Sequence, residues 1–353
     1  MHVIAIDTET TGVLWHDTAF CATSAEYQGD RIDCRFYDLS DDLQALRLVK
    51  LLQRGVALVG HNIKFDLQKL MYSDLIQWEN IWADRIEDTM VMAHLINENG
   101  SRKLKDLARD ILGETTDEEA TLKEYRRKAG LTIADGYDKI PIEILMPYAL
   151  KDAEHTIKLY HHFLPLLKAD PELYKLYRQE IALLVAVLKI ETCGLGIDRS
   201  RLKEGIKEYG TKIIEAKAKI QEITGKKVFD ETDLATRPLS EPVVNKLGKV
   251  TRTSETKAQA HQRALDTTFN PNSPAQILQV FQDLGYPLEN TDKVSLSGLN
   301  SPLADAILEL REATKVRSTY LLGIEHEAGE DDILHPNFRT TGTVTGRMSS
   351  GSG

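Results

Sequence analysis

An α/β fold is predicted: a mixed sheet carrying helices, followed by a mainly helical region. Three observations predict it. Val3-Ile4-Ala5-Ile6 is a short apolar run that ends in acid, as a buried strand does. Further strand-like runs follow before any long helical period, which is the order of an α/β layout. Beyond Asp170-Pro171 the apolar spacing becomes helical over long stretches.

In order, the runs around Phe20 to Tyr27 and Cys34 to Leu39 read as two more strands. Asp41 to Arg54 places Leu43, Leu46, Val49 and Leu52 close to helical period after a Ser40/Asp41 cap. Val56 to Val59 is a fourth strand. Helices are then expected over Asp66–Met71, Asp88–Asn97, Leu104–Leu112 and Ile142–Leu167. After the break come Glu172–Thr192, Arg199–Thr224, Pro274–Leu284 and Pro302–Ile324. Residues 225–272 are polar and carry Pro238, Pro242 and Pro271, so they read as an extended insertion. These shifts divide the chain into 1–168, 169–340 and a short terminal piece, 341–353.

The 353 residues favour more than one domain, since single cores stop growing near 250–300 residues. No apolar run approaches a membrane span. Three scattered cysteines exclude a disulfide framework and a cysteine zinc site, so a reducing cytoplasm is expected. The net charge of −10 argues against a general electrostatic grip on nucleic acid, although local sign matters more than the sum.

The chemistry gathers in three short stretches. Asp7-Thr8-Glu9 ends the first strand, and the period of two sends both carboxylates to one side. Read blandly, they are two solvated acids. Gly60-His61-Asn62-Ile63-Lys64-Phe65-Asp66 follows the fourth strand and opens a helix, where the dipole favours the Asp66 carboxylate; simple capping by Asn62 or Asp66 is the plain alternative. Tyr148 and Asp152 stand four apart on a helix and share a face. Four carboxylates meeting in one place repel unless cations neutralise them. Two divalent ions about 3.5–4 Å apart suit such a set and an in-line displacement at phosphorus. Asp7 is the natural bridging ligand, Glu9 and Asp152 complete one ion's ligands, Asp66 supports the second, and Tyr148 orients the water.

Asp7-Thr8-Glu9-Thr10, His61 to Asp66 and Tyr148 to Asp152 resemble, in order and spacing, the three exonuclease motifs of the DEDD superfamily. The tyrosine placement resembles its tyrosine subclass. Asp88-Thr89-Met90 and Lys103 to Ala108 resemble helices of the same group. Phe269-Asn270-Pro271-Asn272-Ser273-Pro274-Ala275-Gln276 is similar to a stretch of family A DNA polymerases, as are Leu310 to Tyr320, His335-Pro336-Asn337-Phe338 and Thr343 to Ser350. The resemblance implies an RNase H-like 3′→5′ exonuclease domain and a thumb-like helical region, with proofreading during DNA replication as the function. It implies Mg²⁺ as cofactor, two ions, with Mn²⁺ possible in its place. It brings Arg347 toward a primer terminus. It also leads us to expect no preceding 5′-nuclease domain, as in phage-type members, and a palm and fingers that are missing or on a separate chain. No polymerisation is therefore expected from this polypeptide alone.

For DNA contact, Lys246, Lys249, Arg252, Lys257 and Arg263 face a single acid, Glu255, in the region where the family's thumb meets the primer–template duplex. A solvated polar loop explains them equally well. Phe65 is placed to stack on the terminal base of a single-stranded 3′ end, with Asn62 beside it. Lys103, Lys105, Lys123, Arg126 and Arg127 are candidates to flank the cleft. Two other readings fit part of the pattern: a stand-alone RNA-trimming exonuclease, and a split-polymerase half that acts mainly as a docking module. No membrane partner is expected, and the setting is cytoplasmic, the host's if the chain is phage-encoded.

Overall fold

The computed structural model describes residues 2–115, 117–132, 135–230, 268–343 and 345–351, and between 231 and 267 only 243–244, 250–251, 256 and 259. Lys246, Lys249, Arg252, Lys257 and Arg263 lie outside the described residues, as does most of the expected insertion. The chain forms two compact units, Met1–Ile197 with Glu327–Gly353, and Asp198–His326.

In the first unit, β1 (Val3–Thr10), β2 (Ala19–Gln28), β3 (Arg31–Asp38), β4 (Ala57–Gly60) and β5 (Ile86–Asp88) form one sheet in the order β3-β2-β1-β4-β5. β1 and β2, and β2 and β3, are antiparallel; β4 and β5 continue from β1 in parallel. The mixed α/β sheet is as expected. β1 is central, which is why Val3, Ile4, Ala5 and Ile6 are all buried.

Helices α1 (Asp42–Leu52), α2 (Ile63–Tyr72), α3 (Thr89–Ile96), α4 (Leu104–Leu107), α5 (Asp117–Ala129), α6 (Ile142–Ala169) and α7 (Pro171–Cys193) complete this unit. α4 runs on into a wide π-type turn, Ala108–Leu112. Ile4, Ile6, Val59, Leu67, Leu70, Ile157, Phe163 and Ile181 share one core. α7 opens with Asp170 as N-cap and Pro171 at its first position, and it adds Tyr177, Leu184 and Leu188 to that core.

β5 and α5 are among the elements that were not foreseen. β5 is three residues long and two of them are acidic, so it has no apolar run to reveal it. Its Glu87 is only 3% exposed and is held by the Tyr177 hydroxyl and by Arg178 at 3.2 Å. α5 is highly charged and buries Leu122 alone, too little for a helical stripe to show.

In the second unit, α8 (Arg199–Thr224) packs with the helices Pro274–Asp283 and Pro302–Lys315 around Ile220, Phe269, Phe281 and Ile307. Asp198 caps α8 at the Arg201 amide, 3.0 Å. The Phe269–Gln276 motif here is turn chemistry: Ser273 caps the next helix and the Asn270 amide donates to Gln276 Oε1, 2.6 Å. Arg311 donates to the carbonyls of Pro271 and Thr291, tying two loops together. Among the described residues no helix is long and apolar enough to cross a membrane.

Candidate active site

Asp7 and Glu9 sit at the carboxyl end of β1, where the pairing with β2 shifts register between Glu9 and Thr10. Such irregularities re-aim side chains at strand ends. Glu9 is buried at 6% exposure, unlike a solvated acid.

Asp66 arrives from α2. The turn from β4 is tight at Gly60, where a Cβ would fall 2.7 Å from Ile63 Cβ, so only glycine fits. α2 begins at Ile63, and its N-cap Asn62 takes a left-handed conformation (φ 69°) without a side-chain cap bond. The cap comes from elsewhere: buried Asp88 accepts from the amides of Asn62 (3.3 Å) and Ile63 (2.9 Å), and also from Met90 (2.8 Å) and Val91 (3.1 Å) at the start of α3. One carboxylate thus caps two helices and fixes where Asp66 points. Asp66 Oδ1 accepts from the Thr8 amide, 2.9 Å, and the Thr8 hydroxyl, 2.8 Å. Capping by Asn62 or Asp66 is therefore not what occupies these residues. His61 is structural: its Nδ1 meets Thr89 Oγ1 at 2.9 Å and its Nε2 the Arg102 carbonyl at 2.7 Å. Burial pushes its pKa down to about 4.

α6 supplies Tyr148 and Asp152 on one face, one helical turn apart. Tyr137 stacks beside Tyr148, ring centroids 6.1 Å apart. Lys105 of α4 pairs with Asp152 Oδ1 and lies 4.2 Å from the Tyr148 ring centroid. Lys105 is one of the basic residues expected to flank the cleft, whereas nothing in the sequence sets Tyr137 apart from the other tyrosines.

The electrostatics bring all four acids together. Asp7 is pushed well above the usual carboxylate range by burial, then by Asp66, Glu9 and Asp152, with Lys105 opposing. Glu9 is raised by burial, Asp152 and Asp66. Burial raises Asp66 to about 7 against its Thr8 hydrogen bonds. Asp152 is raised by burial against Lys105. Burial and the same acids drive the Tyr148 phenol far upward, so it keeps its proton. Buried, mutually repelling oxygen donors are a donor set for a hard divalent cation. Among the described residues, however, no three such side chains stand arranged to hold an ion. The ammonium of Lys105 already engages Asp152.

Beside the carboxylates lies a cavity of about 500 Å³, lined by Asn62, Phe65, Gln68, Met90, Arg102 and Trp15 among others. The four acids do not line it, but Asn62 and Phe65 flank Asp66 on α2. Its outer loop is pinned by buried Lys69, which donates to the carbonyls of Leu14 and Asp17. Trp15 stacks on His335 at 4.0 Å. Arg347 stands apart, exposed in a turn closed by the Thr343 hydroxyl.

Residues 1–168 match the family described as 3′-5′ exonuclease, and residues 243–352 match DNA polymerase family A. A DNA polymerase of Escherichia phage T5 is 27% identical across 98% of this chain, which spans 39% of that relative. DNA polymerase DpoZ of Acinetobacter phage SH-Ab 15497 is 26% identical across 99% of the chain, which spans 53% of it. The POL domain of Pol1 from M. smegmatis, solved with DNA primer-template and dNTP, superposes with a TM-score of 0.66 at 18% identity, covering 98% of this chain and 50% of that one. That likeness speaks for the fold alone. The chain thus spans about half, or less, of the length of these relatives. Exonuclease domains of this kind are metal-dependent. The chain thus joins a 3′-5′ exonuclease domain to a domain of DNA polymerase family A, in that order.

Proposed function

We propose that this chain removes 3′-terminal nucleotides from DNA as the proofreading part of a family A DNA polymerase. The observation that carries the reading is the convergence of four carboxylates, half-buried Asp7 and buried Glu9, Asp66 and Asp152, beside a tyrosine that stays protonated. In this reading all four acids hold Mg²⁺, two ions, with Mn²⁺ able to substitute. Bound divalent metal supplies Lewis-acid stabilisation of the leaving 3′ oxygen and a more acidic water.

The chain's own residues do the rest. Tyr148 keeps its phenolic proton and orients the attacking water by hydrogen bonding. The stacked Tyr137 ring and the Lys105 ammonium over the Tyr148 ring hold the phenol in place. Phe65 offers a face for the terminal base, and Asn62 contacts its sugar-phosphate. Asp88 fixes the start of α2, so that the stacking face and the Asp66 carboxylate keep one geometry.

Residues 169–340 would serve as the thumb-like region on primer–template duplex, with the basic stretch at Lys246, Lys249, Arg252 and Lys257 on the backbone. Arg347 would approach the primer terminus. Nucleotide addition would need a palm and fingers from further polypeptide. The test uses 5′-labelled single-stranded DNA with Mg²⁺. A descending ladder that disappears with EDTA and with Asp7→Ala supports the reading. Full activity in Asp7→Ala overturns the metal assignment, and preference for RNA would favour a trimming enzyme instead.

A further inference from the structure

The acids of the site are balanced by something the motifs do not contain. Lys105 lies on α4, 47 residues from Asp152 in sequence, yet its ammonium pairs with Asp152 Oδ1 and sits over the Tyr148 ring. Both side chains are nearly closed to solvent, 13% and 8% exposed. In so dry a setting an ammonium between a carboxylate and an aromatic face is held strongly. It also opposes the charge on Asp7 and Glu9. The contact engages the one of the four acids that α6 supplies.

We propose that Lys105 is a built-in counter-cation of the four acids, pairing with Asp152 and giving it up to a divalent metal. This rests on the metal-binding reading of the four acids. The ammonium and the metal compete for one carboxylate, so each weakens the other's hold on it. Lys105 then sets how much metal is needed to open the site. α4 can accommodate the departure, because it is a single turn that runs directly into the π-type turn Ala108–Leu112, a looser winding than a continuous α-helix.

Two measurements test this without relying on cleavage. In the first, Mn²⁺ is titrated by calorimetry into the whole chain, into Lys105→Met and into Lys105→Arg. Lys105→Met should bind Mn²⁺ about tenfold more tightly, the scale on which one adjacent charge biases another. Lys105→Arg should stay near wild type. In the second, the wild-type chain is treated with an amine-acylating ester and the modified peptides are counted by mass spectrometry. Adding Mn²⁺ should raise acylation of Lys105 several-fold relative to the other lysines. Because it needs no variant, this arm is immune to a folding defect in Lys105→Met. Unchanged or weaker Mn²⁺ affinity in Lys105→Met, or acylation of Lys105 that Mn²⁺ leaves unchanged, overturns the proposal. Failure of wild-type chain to bind Mn²⁺ at all would instead overturn the metal-binding reading beneath it.

Discussion

Replacing Lys64 by methionine should destabilise the first unit by about 3–5 kcal/mol, the usual cost of stranding one partner of a buried ion pair. Lys64 sits on α2 between the two site residues Asn62 and Asp66 and lines the same cavity as Asn62. Its ammonium pairs with Glu191 of α7 at 2.5 Å, and the two side chains are 9% and 1% exposed. It also donates to Phe338 O at 2.7 Å and Asn337 Oδ1 at 3.2 Å. Methionine preserves the length and apolar stem but removes all three bonds. Glu191 would keep one donor, the Phe338 amide at 2.6 Å, and bury its charge without a counter-ion. All three tryptophans, Trp15, Trp78 and Trp82, belong to this unit, so their fluorescence during urea unfolding reports it alone. With a slope near 3 kcal/mol/M, the midpoint should fall by about 1–1.7 M. Adding Glu191→Gln removes the stranded charge but leaves an oxygen for the Phe338 amide, so the double variant should regain most of the loss. A single variant within about 1 kcal/mol of wild type, or a double variant no better than the single, would refute the assignment of this energy to the buried charge.

Asp7→Asn should lower cleavage by about 10³-fold or more, while the metal-free chain melts no lower than wild type. Removing one like charge from the cluster raises Tm by about 2–4 °C for each kcal/mol of repulsion relieved, as calorimetry without metal would show. Tyr148→Phe should reduce kcat about 10²-fold and leave KM for single-stranded DNA unchanged, and a retained kcat removes the phenol from the chemistry. Phe65→Ala should do the reverse, raising KM about tenfold through the loss of one stacked base. Glu114 supplies a pH test. Burial pushes its carboxyl up, but Lys158 and Lys151 prevail and hold it at about 2, below its ordinary 4.5. The stabilisation is therefore complete above pH 4.5 and lost as pH falls toward 2. Glu114→Gln should lower Tm at pH 7 and flatten its decline over that window; an unchanged decline would locate the acid sensitivity elsewhere.

The acids of the site are legible in the sequence because each is announced by local geometry. Asp7 and Glu9 follow an apolar run in the central strand, and Tyr148 and Asp152 are one helical turn apart. What balances their charge is not local. Lys105 reaches Asp152 from 47 residues away, Lys64 reaches Glu191 across 127, and the Phe338 amide meets Glu191 across 147. Asp88, which caps both α2 and α3, reads in the sequence only as an acid before a helix, since its second helix is 25 residues upstream. β5 is hidden for the same reason: Glu87 is tolerated in a buried strand only because Tyr177 and Arg178 arrive from α7 to satisfy it. Periodicity encodes where a side chain points, whereas compensation of a buried charge depends on which distant element packs against it. A substitution at Lys64, Lys105 or Asp88 therefore alters this site without touching any of its four carboxylates, and its consequences follow from the fold rather than from the motifs.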